Sequence, residues 1–70
     1  MRMHFSDLFE IRERKISPKV TVEIRGVRLE PGNTYGDGEQ VTGIDLLKHR
    51  QCHFDVEKRD AVYVIRTIYD

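Results

Sequence analysis

The densest chemistry in the sequence lies in Asp45-x3-His49-x2-Cys52-His53. On a helix, Asp45 and His49 stand one turn apart on one face, and Cys52 follows three residues on. A carboxylate orienting an imidazole beside a thiol is the arrangement that activates a nucleophilic cysteine. His49, Cys52 and His53 are also acceptable zinc ligands, with His4 as a distant fourth. Simpler readings outweigh both. Asp45 is spaced from Thr42 to serve a helix cap, and a lone cysteine is commonly a packed, inert side chain. Structural zinc sites usually show paired ligands such as Cys-x2-Cys, and this chain has one cysteine. No loop suited to an oxyanion is recognisable. The expectation is no enzyme, no metal and no cofactor.

The glycines of Gly36-Asp37-Gly38 match neither the phosphate loop nor the dinucleotide fingerprint, and Asp37 and Glu39 would repel an anion there. Turn geometry accounts for them. A basic stretch is more suggestive. Residues 12–28 hold six cations against two anions. An outer sheet face gathering Arg25, Arg28 and Arg66 with Tyr63 or Tyr69 would offer the stacking platform and cationic groove that single-stranded nucleic acid uses. On an ordinary solvated sheet, Glu13, Glu23 and Glu30 would pair with those cations instead. Nucleic-acid binding is therefore the alternative reading.

The elements that must position these residues follow from periodicity. In residues 5–11, Ser6 is placed to cap a short helix whose inner face holds Leu8, Phe9 and Ile11, and a strand is the competing reading. Arg12-Glu13-Arg14-Lys15 reads as a solvated face, and Ser17-Pro18 as a break. Val20, Val22 and Ile24 alternate with Thr21, Glu23 and Arg25, the pattern of a half-buried strand. The alternation slips at Gly26, since Val27 and Leu29 are apolar at odd positions. A bulge there is expected in preference to a turn.

Residues 30–40 form a loop in which Thr34-Tyr35 can pair back on Gln40-Val41. A helix is expected over residues 43–51. A hairpin closes the chain: Phe54 and Val56 alternate with Asp55 and Glu57, Lys58-Arg59-Asp60 connect, and residues 61–69 form the last strand. That strand is apolar on both faces, with Val62, Val64 and Ile68 on one and Ala61, Tyr63, Ile65 and Tyr69 on the other. A strand with one covered face does not look like this. Either it is central and covered twice, or a face or edge meets another chain.

Seventy residues make one small domain. By area scaling such a chain buries only about 62% of its unfolded surface, so its core is marginal without a partner. Twelve Lys and Arg balance twelve Asp and Glu, which removes the simplest case for a whole-surface nucleic-acid or membrane binder. One cysteine excludes an intrachain disulfide framework, no apolar run approaches a spanning helix, and no signal-peptide pattern is visible. A cytoplasmic location is the resulting expectation.

The fold class expected is α+β, a small mostly antiparallel sheet with one or two short helices. If residues 5–14 are a strand, the order becomes β-β-α-β-β, which resembles the β-grasp of ubiquitin in topology alone. An SH3-like barrel is the runner-up. The function expected is a protein-interaction module acting by contact, as a regulator, inhibitor or assembly accessory. It would self-associate as a homodimer, or bind another protein, through its C-terminal strand, with Tyr63, Ile65 and Tyr69 as contact residues.

Overall fold

The computed structural model describes residues 1–69 and is dominated by strands. These are β1 (Arg2–His4), β2 (Phe9–Arg12), β3 (Lys15–Pro18), β4 (Thr21–Ile24), β5 (Val27–Leu29), β6 (Tyr35–Gly36), β7 (His53–Arg59) and β8 (Val62–Tyr69). A five-stranded sheet runs in the order β1-β7-β8-β4-β5, and a three-stranded sheet in the order β2-β3-β6. Neighbours are antiparallel except β4 and β8, which run parallel, so the larger sheet is mixed.

Of the short helices in the α+β expectation, only single turns are present. Helix at the start of the chain is confined to one turn, α1 (Phe5–Leu8), after which Phe9 enters β2. Its cap is His4 rather than Ser6. The imidazole Nδ1 accepts the Ser6 N–H at 3.1 Å, and the Asp7 carboxylate accepts the His4 N–H at 2.9 Å.

Over residues 43–51 only a 3-10 turn, Leu46–His49, is present. The reason lies just upstream. Thr42 and Gly43 have φ of +52° and +81°, and Val41 and Ile44 exchange both backbone hydrogen bonds across them at 2.8 and 2.9 Å. That reversal leaves Thr42 unable to cap. Asp45 takes the role, its carboxylate accepting the Leu47 N–H at 3.2 Å. With only a 3-10 turn and no α-helix between β5 and β7, the β-β-α-β-β order is not realised.

Gly26 is the second correction. Arg25 and Gly26 have φ of +49° and +83° and make a two-residue turn, with Ile24 opposite Val27 and Val22 opposite Leu29. A two-residue turn pairs even with odd positions, so the apolar parity inverts across it with no bulge. Val22, Ile24 and Leu29 all reach the core.

The mixed-charge run is also a turn. Glu13 and Arg14 have φ of +50° and +65° and join β2 to β3. Two non-glycine residues in the left-handed region are costly there. Replacing them together, Glu13→Asn with Arg14→Gly, is expected to raise stability by roughly 1 kcal/mol. The midpoint of urea unfolding reads it, and a midpoint that falls would contradict the turn.

Tyr35 and Gly36 pair with Ile16 and Lys15 of β3, so the expected pairing onto residues 40–41 does not occur. The C-terminal hairpin forms with Arg59 opposite Val62. Beneath the larger sheet lies one core of Phe5, Leu8, Phe9, Ile16, Phe54 and their neighbours. Phe5 stacks on Phe9 at 4.8 Å between ring centres, and Phe9 meets Phe54 edge-on at 6.4 Å.

Candidate interaction surface

β8 lies inside the sheet, between β7 and β4, and so is not an edge along its whole length. Its pairing with β7 holds one irregularity. Asp55 and Val56 are adjacent, yet they face Thr67 and Ile65, which leaves Arg66 as an extra residue in β8. A bulge of this kind swaps which parity faces the core. Tyr63 and Ile65 are on the core side before it and Ile68 after it, opposite Val22, Ile24 and Phe54. Much of the apolar character on both parities is one core-facing row interrupted at Arg66. Val64 remains on the outer side, between Glu23 and Glu57 in register, where it is buried outside the main core cluster.

The three expected contact residues therefore do not form one patch. Ile65 is 6% exposed and packs in the core, which takes it out of any contact surface of the folded monomer. Tyr63 is half-buried on the core side, with the Lys58 ammonium 5.4 Å from its ring centre. Tyr69 is 39% exposed on the outer side, with the Arg2 guanidinium 4.4 Å above its ring. The two tyrosines are about 20 Å apart along the strand at ~3.3 Å per residue.

A different feature of β8 is open. Its pairing with β4 spans residues 62–65 only, because β4 ends at Ile24 and the chain turns away into β5 at Arg25-Gly26. Residues 67–69 pair with Asp55, Phe54 and His53 of β7 on one side. On the other side, among the described residues, no strand adjoins residues 66–69. Beside this half-edge lies a cleft of about 340 Å³ lined by Ile24, Arg25, Ile44, Ile65, Arg66, Thr67 and Ile68. The Arg25 guanidinium donates to the Thr42 carbonyl at 3.2 Å, tying the β4–β5 turn to the reversal at residues 41–44 that supplies Ile44.

The expected cationic platform is not assembled on one face. Arg25 turns toward residues 41–44, whereas Arg28 stands opposite Glu23 on β5, and Arg66 occupies the bulge. Arg25 and Arg66 share the rim of the cleft and Arg28 does not.

The histidines and the cysteine separate into two pairs. Cys52, 8% exposed, has its Sγ 3.6 Å from Nδ1 of His49, while the Asp45 carboxylate is engaged with the Leu47 N–H. His53 instead meets His4 edge-on across β7 and β1, 4.9 Å between ring centres. Among the described residues, no three metal-ligating side chains gather. No helix among them is long and apolar enough to cross a membrane.

None of the family models, curated proteins or solved structures compared with the chain matches it.

Proposed function

We propose that the protein is a small interaction module that acts by contact, as a regulator, inhibitor or assembly accessory, and that it takes up an extended strand of another polypeptide along the open half of β8. The observation that carries this reading is the half-edge. Residues 67–69 are paired with β7 on one side, with no strand among the described residues on the other, and a cleft with four isoleucines in its lining lies beside them. Unpaired backbone N–H and C=O groups on a strand edge are a template for another chain, and a neighbouring pocket for alternate side chains supplies selectivity. No proline lies in residues 66–69, so no backbone donor is missing from this edge. A second copy of the chain is one polypeptide with such a strand, which keeps the homodimer as one form of the same reading.

The test is a nuclear magnetic resonance titration of the labelled protein, first against its own concentration and then against extended hexapeptides of alternating apolar and charged residues, of both charge signs. Shifts confined to residues 66–69, Ile24 and Ile44 in either series are expected. If neither series moves those resonances, the reading is wrong.

A further inference from the structure

The rim of the cleft says what kind of strand belongs there. Of its seven lining residues, Ile24, Ile44, Ile65 and Ile68 are apolar, Arg25 and Arg66 are cationic, and none is acidic. The nearest acidic neighbour in sequence to Ile44 is Asp45, whose carboxylate is turned back onto the Leu47 N–H. Across β7, Asp55 stands opposite Thr67 on the outer side of the sheet, away from the core-side row of Ile65 and Ile68. Glu23 likewise faces Val64 on the outer side. Arg66 has no ion pair among the described residues, and Arg25 spends one guanidinium nitrogen on a neutral carbonyl. The slot is thus a cleft between two cations, with no acidic residue in its own wall and with Ile44 and Ile68 as its more accessible isoleucines, while Arg66 also borders a second cleft with Asp55 and Glu57.

Resting on the strand-uptake reading, we infer that the occupant is a short extended segment of a different protein, with an apolar residue flanked by Asp or Glu. Its backbone continues the line that β4 leaves at Ile24. Its apolar side chain packs on Ile44 and Ile68, the half-buried isoleucines of the cleft, and its carboxylates reach Arg25 and Arg66. Charge-assisted hydrogen bonds from arginine to carboxylate are the stronger kind and fix the register of the incoming strand.

A second copy of the chain is a poorer occupant. A two-fold pairing would bring each copy's Arg25 and Arg66 to a rim that is already cationic.

The experiment is a fluorescence-anisotropy titration of the intact protein with three fluorescein-labelled peptides at low ionic strength. The first is Glu-Val-Glu-Ile-Glu, the second Lys-Val-Lys-Ile-Lys, and the third Glu-Val-Pro-Ile-Glu. The acidic peptide should bind about ten-fold or more tightly than the basic one, and the proline peptide should lose a similar factor because it lacks a ladder donor. Arg66→Glu, at an exposed position, should abolish or invert the charge preference while leaving the urea midpoint near that of the wild type. Equal affinity for the two charges, or a preference that survives Arg66→Glu, overturns this inference and leaves strand uptake standing. A dimer sealed at residues 66–69 that binds none of the peptides also overturns it and assigns the edge to a second copy. A monomer that binds none of them, with freely exchanging amides at the edge, overturns both.

Discussion

Replacing Phe54 by alanine is expected to cost about 3–5 kcal/mol, the range for removing a fully buried aromatic ring. Phe54 is 0% exposed, pairs with Met3 of β1 and Ile68 of β8, and touches the Phe5 and Phe9 rings at 6.2 and 6.4 Å between centres. It therefore joins the larger sheet to the α1–β2 segment. A domain of this length has a total stability of only about 3.5–10 kcal/mol. Phe54→Ala should consequently leave a large fraction unfolded in water, visible as a lost or truncated urea transition by circular dichroism. A loss below about 1 kcal/mol would contradict the position of this ring at the centre of the core.

Ile65→Lys should be comparably severe, by more than about 3 kcal/mol, because it places a charge where no partner stands. Ile65 is 6% exposed, with Ile24 of β4 on one side and Val56 of β7 on the other. The sequence pattern made this residue a contact candidate, and the substitution would then have tested association. In the folded protein it tests stability. The measurement is again the urea transition, together with the far-ultraviolet spectrum at zero denaturant. An Ile65→Lys protein as stable as the wild type would mean that the side chain faces solvent, and the register of β8 would have to be redrawn.

The two substitutions also show how far the sequence could be read. The alternation of Val22 and Ile24 and the closing hairpin of Phe54–Val56 with the last strand were legible, because each is an uninterrupted period of two. The departures share one physical origin, local reversals that change parity or end an element without a distinctive residue pattern. Gly26 was visible as a break, but an even-to-odd slip is produced equally by a bulge and by a two-residue turn. Pairing with a distant strand decides between them. At Glu13-Arg14 and Thr42 the left-handed backbone is carried by residues that rarely adopt it, so nothing in their types announces a turn. Tertiary pairing holds those positions, with β3 returning along β2 and Val41 bonded to Ile44.

The candidate site was legible only in outline. That the last strand carried more apolar surface than a one-faced sheet requires was evident from its composition, and the C-terminal strand does hold the open feature. Of the residues named for it, Ile65 lies in the core, while Tyr63 and Tyr69 stand on opposite sides of the sheet. The bulge at Arg66 converts Ile65 and Ile68 into a single core-facing row, and no side-chain property of Arg66 signals a bulge. The open half-edge is set by the length of β4, which stops at Ile24 while β8 runs on to Tyr69. Relative strand lengths across a non-local parallel pairing are a property of the assembled sheet. Arg25 and Arg66 are members of a nucleic-acid platform in the sequence pattern, and the structure places them together on a different feature, the rim of the cleft beside residues 66–69.

The most direct test of the account is backbone amide exchange in β8, followed residue by residue in dilute protein that is monomeric by light scattering. Slow exchange is expected at residues 62–65, which have strands on both sides. At residues 66–69, amides that point away from β7 should exchange near the rate of an unstructured chain, and should slow when an extended peptide is added. Uniformly slow exchange through Tyr69 in the free monomer would mean that the edge is already covered by the chain itself, and the account of the protein as a strand-accepting contact module would be wrong.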